Sequence, residues 1–243
     1  MTAPRQQIAA RVVGVVLAGG RATRLGALAA GPGGKGAVML DGRTFLEAVL
    51  AAVASHVEQI VVVAGHGDAA TAGALPMAAA TVTVPVEIIH DSVPDGGPLA
   101  ALADALRHLS SKPAVAAVTA AIVVSCDVPL VRPLVVRLLL DRLRTSAARW
   151  VVPQVHGHPQ VLLSALRADI RADIEAHLAR GRRDPRGLLA TLVDTDPAAV
   201  QLLEADAFTT VDPTLDSFRD VDTPEDLAAL AAARDQDPRA AAK

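Results

Sequence analysis

The stretch GVVLAGGRATRLG, residues 14–26, runs from a strongly apolar segment straight into paired glycines and two arginines. Residues Val12–Ala18 are continuously apolar and end on glycine, the pattern of a strand buried on both faces at the centre of a parallel sheet. Gly19 and Gly20 leave bare backbone at the carboxyl end of that strand, and Arg21 and Arg24 bring cations to it. Unobstructed main-chain N–H groups beside fixed positive charge are what a phosphate needs. A flexible surface turn with solvated arginines is the alternative reading of the same residues.

Working outward, TFLEAVLAAVASHV reads as a helix, with Thr44 and Glu47 at capping-box spacing. QIVVVAG (59–65) is a second buried strand, followed by an Ala-rich segment with helical character. VTVPVEIIH (82–90) is a third strand, placed at a sheet edge by Pro85. After the loop DSVPDGG a helix opens at Pro98, a residue suited to the first helical position. AAIVVSCD (120–127) is another buried strand, and VPLVRPLVVRLLLDRL turns helical after its prolines. RWVVPQVHGHPQVLLSAL reads as a hairpin, Arg167 to about Arg180 as a helix, GRRDPRG as a loop before a short helix, and VQLLE and FTTVD as candidate strands. FRDVDTPEDL reads as strand then helix, with Thr223 as N-cap and Pro224 next to it. Alternating strands and helices predict an α/β fold: a single Rossmann-like, doubly wound, mostly parallel sheet with helices on both faces. One domain is expected over 11–233, with flexible ends at 1–10 and 234–243.

Composition narrows the function. The 243 residues are 51% hydrophobic, 20% charged and 2% aromatic, so the core must be built from Ala, Val and Leu. A net charge of −3 argues against a general nucleic-acid or anionic-membrane binder. The lone Cys126 excludes a disulfide framework and multi-cysteine metal sites. No run of about 18 apolar residues appears, and MTAPRQQIAARVV holds no apolar stretch long enough for a signal peptide, so cytoplasm is the expected location.

The glycine loop is neither of the two commonest phosphate-binding types. After Leu17 the glycines fall at 19, 20 and 26, not as G-x-G-x-x-G; Gly34-Lys35 is followed by Gly36 and preceded at the Walker position by Ala29. Lys35 stands out in a chain whose only other lysines are Lys112 and Lys243. A lysine kept in a glycine-rich loop suits a compact, mobile charge that follows a phosphate. Ligands of open α/β sheets bind beyond the carboxyl ends of the strands. Three such ends are distinctive here: LAGGRATR, HDSVPDGGP and CDVP. Asp127 at the last of them is placed to hold Mg²⁺, with a helix N-cap as the alternative. Asp91 has the same placement after its strand, with a turn role as the alternative. DGGPLAAL offers N–H donors for an anion or a base edge, or a plain tight turn. Asp220 and Asp222 precede the Thr223 cap and can face the same crevice. Cys126 reads as a small buried hydrophobe rather than a nucleophile. The seven histidines show no HExxH spacing, and His156 and His158 read as hairpin residues.

In order, VVLAGGRATRLG…K, HDSVPDGGPLAAL, CDVPL and FRDVDTPEDL resemble the molybdenum-cofactor guanylyltransferases and the wider MobA-like nucleotidyltransferases, from about Val12 to Leu230. The resemblance implies the nucleotidyltransferase fold and transfer of GMP from GTP to molybdenum-molybdopterin, with Mg²⁺, giving the guanine dinucleotide cofactor and pyrophosphate. It implies Leu17, Ala18, Gly19 and Gly20 against the nucleotide, and Lys35 on its phosphates. Asp91 and the Gly97-Pro98-Leu99 turn would also meet GTP, and Asp127 would meet GTP and metal. Asp222 would complete the metal shell, and Arg24 would join Lys35 and Asp127 as a catalytic group. Expected partners are GTP and molybdenum-molybdopterin, with transient contact to molybdoenzymes or cofactor-insertion proteins, and neither nucleic acid nor membrane.

Three features depart from the family pattern. The gap from Gly26 to Lys35 is long, with glycine before the lysine where aspartate is common. VVVAG lacks the asparagine often found at the end of the second strand. Asp222 stands where guanylyltransferases usually carry asparagine, which is closer to the cytidylyltransferases. A cytidylyltransferase, another transferase of the group and a non-catalytic nucleotide-binding relative therefore stay open as alternatives.

Overall fold

Strand β1 (Arg11–Leu17) is the axis of the structure. From Val13 to Leu17 it is buried throughout, so its side chains feed apolar packing on both faces of the sheet. The computed structural model describes residues 11–19, 23–29, 34–65, 76–111 and 118–235. The strands after β1 are β2 (Met39–Leu40), β3 (Arg43–Thr44), β4 (Gln59–Ala64), β5 (Val86–His90), β6 (Val118–Ser125), β7 (Trp150–Val155), β8 (His158–Pro159), β9 (Leu163–Arg167) and β10 (Val200–Glu204). The helices are α1 (Phe45–Ala54), α2 (Pro98–Ser110), α3 (Pro133–Thr145), α4 (Arg171–Ala179), α5 (Pro185–Thr195) and α6 (Pro224–Asp235).

The main sheet has the order β10-β7-β9-β6-β1-β4-β5, with β8 hairpinned onto β7. β1 pairs in parallel with β4 on one side and β6 on the other, Leu17 lying level with Val63 and Ser125. β5 extends the parallel run to the edge predicted from Pro85. β9 is antiparallel to both β6 and β7, and β10 returns parallel to β7. The predicted doubly wound, mostly parallel α/β sheet is the observed one.

Alternation along β1 divides the core. Val16 points into a cluster with Val49, Val53 and Leu139, so α1 and α3 cover that face. Val13, Val15 and Leu17 point the other way, to Leu102, Leu106, Ile174 and Leu188 of α2, α4 and α5. A third, small cluster of Leu25, Val38, Phe45, Val221 and Leu230 ties α6 beneath the glycine-rich segment. The Thr44 cap forms as expected: Glu47 N donates to Thr44 Oγ1 (3.1 Å) and Thr44 N to Glu47 Oε2 (2.7 Å).

Several local expectations change. The strand expected over 82–90 begins only at Val86, and the one expected over 120–127 ends at Ser125, leaving Cys126 and Asp127 in a turn. FTTVD is not a strand: Val211 N and Asp212 N both donate to Phe208 O, which coils the segment into turns while Phe208 packs edge-on against Phe218. FRDV is not a strand either; Val221 makes a single bridging bond, its N–H donating to Asp127 O (2.9 Å). The expected helix after Arg167 begins as a short 3-10 turn, Ala168–Ile170, before α4. The segments 1–10 and 236–243 lie outside the described residues.

Candidate active site

β1 has parallel neighbours on both sides, β4 and β6, with β5 beyond β4. The chain therefore switches direction across the sheet at β1, the point beyond whose carboxyl end open α/β sheets bind ligands. Leu17 ends β1, its carbonyl accepting from Cys126 N (3.0 Å), and Ala18 N donates to Val63 O (2.9 Å). Gly19 is there because nothing larger fits easily: a Cβ would lie 3.1 Å from Gly65 N and 3.4 Å from Asp91 Oδ2. That close approach brings Gly19, Gly65 and Asp91 together at the tips of three adjacent strands. Asp91 is anchored by its own N–H, which donates to Ala64 O (3.0 Å). Gly20 and Arg21 lie outside the described residues, and Arg24 is described only in its backbone, within the turn Thr23–Ala29.

The second wall is the turn before α2. Gly97 has φ +78, a conformation that L side chains rarely adopt, and Pro98 opens the helix as its first residue. Leu99 is 1% exposed and belongs to the core, so it can meet a ligand only through its backbone. Ser92 N and Oγ both donate to Asp104, which pins this loop to α2.

The centre is charged. Lys35, in the turn Gly34–Ala37, donates from Nζ to Asp222 Oδ1 and lies 3.6 Å from Asp127 Oδ2. Its side chain is 14% exposed. Burial works to strip its charge, but the Asp127 carboxylate and the Asp222 bond outweigh that, and its pKa lies above the usual lysine value. Asp220 is exposed by surface area, yet desolvation of its carboxyl, then the charge of Asp127, raises its pKa. Cys126 is wholly buried and pushed up to about 12 by that burial and by Asp127, so it is no thiolate nucleophile.

Asp127 does not cap α3; the N-cap position there is Arg132. Its carboxylate faces Lys35 instead. Asp222 is held by the turn into α6: Asp226 Oδ2 accepts from Asp222 N (3.1 Å) and Thr223 N (2.9 Å), while Asp226 N donates to Thr223 Oγ1 (3.1 Å), the cap expected at Thr223. Two carboxylates from remote segments therefore converge on a single cation, the Lys35 ammonium. That donor set fits Mg²⁺, which is commonly bound by one or two carboxylates while phosphates and water fill its remaining positions. Among the described residues no group of three or more His, Cys, Asp or Glu forms a protein-only metal cage. His156 and His158 fall in the β7–β8 hairpin, as expected.

Asp127 also borders a cleft of about 360 Å³ that no sequence motif announced. Pro98, Ser125 and Val128 line it together with Pro159–Leu163, Asp184–Arg186, Phe218 and Asp220. The signal available was the run of arginines in GRRDPRG, read only as a loop. Arg132 and Asp212 were also missed. Arg132 Nε lies 3.1 Å from the fully buried Asp212, Ser217 N donates to Asp212 Oδ2 (2.8 Å), and Arg132 N donates to Ser217 Oγ (3.0 Å). These contacts clamp the segment carrying Asp220 and Asp222 to the turn carrying Asp127. Among the described residues, no helix is long and apolar enough to cross a membrane.

Comparison with known proteins agrees with this fold. The model of the MobA-like NTP transferase domain matches residues 14–197. A probable molybdenum cofactor guanylyltransferase from Methanothermobacter thermautotrophicus is 30% identical over 216 residues, 87% of this chain and 95% of that protein. Molybdopterin-guanine dinucleotide biosynthesis protein A from Archaeoglobus fulgidus superposes with a TM-score of 0.70 at 24% identity, over 93% of this chain and 100% of that one. A 4-diphosphocytidyl-2C-methyl-D-erythritol synthase from Anaerococcus prevotii gives a TM-score of 0.68 at 14% identity, over 93% and 96% of the two chains. At such identities the two superpositions speak for the fold, whereas the family match spans most of the sequence. The chain belongs to the MobA-like NTP transferases and is a nucleotidyltransferase.

Proposed function

We propose that the protein transfers GMP from GTP to the terminal phosphate of molybdenum-molybdopterin, releasing pyrophosphate. The observation that carries the reading is the convergence of Lys35, Asp127 and Asp222 just past β6, in a turn whose Cys126 N–H bonds the end of β1 at Leu17 O. The guanylyltransferase name of the relative from Methanothermobacter thermautotrophicus supports guanine and this acceptor.

In this reading the backbone at Leu17, Ala18, Gly19 and Gly20 lies along the triphosphate, with Asp91 and the Gly97-Pro98-Leu99 turn on the nucleoside side. An oxygen of the acceptor phosphate attacks the α-phosphorus of GTP. A new P–O bond forms, the α–β bridge breaks, and pyrophosphate leaves with the bonding electrons. Positioning and charge stabilisation carry such a transfer, so no covalent nucleophile is needed, in keeping with the inert Cys126. Lys35 and Arg24 offset the charge of the triphosphate and of the departing pyrophosphate. Asp127 and Asp222 would hold Mg²⁺, which supplies charge neutralisation at the α-phosphate and the leaving group. The cleft bordered by Asp127 and lined by Pro159–Leu163 would be the space for the acceptor.

Asp222 favours a second reading, a cytidylyltransferase. Turnover of each of the four Mg·NTPs with molybdenum cofactor, followed as pyrophosphate release, separates them. GTP alone should support it. Faster turnover with CTP moves the protein to the cytidylyl branch, and no pyrophosphate from any nucleotide makes it a nucleotide-binding relative without activity.

A further inference from the structure

The Lys35 ammonium stands where a metal ion would be held. It donates to Asp222 and lies 3.6 Å from Asp127, the two carboxylates assigned to the metal, and the charge of Asp220 belongs to the same cluster. A divalent cation held by these two carboxylates would lie within a few ångströms of the ammonium, and like charges that close repel strongly in a partly buried site. The Lys35 backbone is held, its carbonyl accepting from Val38 N (3.2 Å). Any departure of the charge therefore belongs to the side chain, a flexible four-carbon stem ending in a compact charge. A triphosphate lying along the Gly19 backbone gives that ammonium a more negative partner than two aspartates.

We propose that Lys35, besides meeting the phosphates, closes the metal site of the nucleotide-free protein, so that divalent cation and nucleotide bind with positive coupling. Without nucleotide, the ammonium neutralises Asp127 and Asp222 and keeps metal out. With nucleotide, the phosphates draw the ammonium off and release the carboxylates. Coupling of this kind is reciprocal, so metal also raises the affinity for nucleotide. The inference rests on the reading of Asp127 and Asp222 as metal ligands and adds an order of events to it. It also gives Asp222 a use in the empty protein.

The test is calorimetric titration of MnCl₂ into the nucleotide-free protein. Wild type should bind weakly. Lys35→Met should bind Mn²⁺ at least about tenfold tighter, within the usual range of coupling factors. Lys35→Gln keeps a polar side chain without charge, provides a second folded version of the experiment, and should show the same gain; thermal melting confirms that both variants fold. Equal Mn²⁺ affinity in wild type and both variants overturns the proposal. A separate arm compares Mn·GTP binding by wild type and Asp127→Asn. If Asp127→Asn loses affinity while the Lys35 variants gain none for Mn²⁺, only the coupling falls. If Asp127→Asn binds Mn·GTP as wild type does, the metal-ligand reading falls, and the coupling with it.

Discussion

The two ends of the sheet divide the labour. In the parallel half, β5-β4-β1-β6, every strand ends at the same edge, and the residues just past those ends depart from ordinary packing. Gly19 presses against Gly65, Gly97 takes a positive φ, and Asp127 turns its carboxylate toward a half-buried lysine. At the other end, β9 runs antiparallel, and its polar side chains serve packing: Trp150 Nε1 donates to the fully buried Ser164 (2.9 Å), whose Oγ donates to Val161 O (2.8 Å). That end gives the cleft a wall, Pro159–Leu163, but no residue of the charged centre. Parallel strands gather loops at one edge and concentrate chemistry there; a reversed strand brings its entry loop to that edge and shapes the space.

Substitutions on the two sides of this division should have separable effects. Lys35→Ala should weaken Mg·GTP binding or slow transfer about tenfold or more, since a charge-assisted contact is worth roughly 1.5–3 kcal/mol. Its folding midpoint should fall only modestly, because Asp127 and Asp222 lose the ammonium that pairs them while no core contact is lost. Titration calorimetry beside thermal melts reads both, and unchanged binding and turnover would make the glycine loop a solvated surface turn. Gly14→Ala should act the opposite way. Its Cβ would lie 2.6 Å from Val53 Cγ1, so overpacking should destabilise by about 1–3 kcal/mol and lower Tm by about 2–4 °C per kcal/mol. Nucleotide affinity of the folded protein should be unchanged.

The contrast between those two variants matches what was legible in the sequence. β1, β4 and β6 declare themselves because strands buried on both faces need unbroken apolar runs, and α1 because the Thr44–Glu47 cap is local. Lys35 and Asp127 were legible as a rare lysine among glycines and a carboxylate just past an apolar strand. The segment 208–222 was not. Its order comes from Asp212 meeting Arg132 and from Val221 bonding Asp127 O, contacts with no period and no local spacing, so it read as two strands. The Lys35–Asp222 bond spans 187 positions, and each partner alone had an ordinary local explanation. The cleft beyond Asp127 is assembled from several separated segments and has no sequence signature.

Smaller effects test the same division. Trp150→Phe removes a buried hydrogen bond far from the charged centre and should cost about 1 kcal/mol of stability, with nucleotide affinity untouched. Asp220→Asn should do the reverse on a still smaller scale. The folded protein raises the Asp220 pKa above its unfolded value, so this carboxyl favours folding most fully below the unfolded value, and that contribution is lost as pH rises through the folded one. Asp220→Asn should therefore melt slightly higher than wild type at pH 7. The gap should close as pH falls through the folded pKa and vanish below the usual aspartate range. A gap that does not change with pH would mean that neither burial of the Asp220 carboxyl nor the charge of Asp127 beside it raises its pKa.

The most direct measurement is pyrophosphate release from GTP and molybdenum cofactor as a function of Mg²⁺, for wild type and Asp127→Asn. The substitution keeps the shape of the side chain and leaves the Asp127 carbonyl free to accept from Val221 N, so the fold should survive, and thermal melts will show it. If chemistry is centred on the carboxylate just beyond β6, Asp127→Asn should fall by about 10²–10³ in turnover, the scale seen when an electrostatic stabiliser is removed. Turnover equal to wild type at limiting Mg²⁺ would contradict the placement of the active site at Asp127.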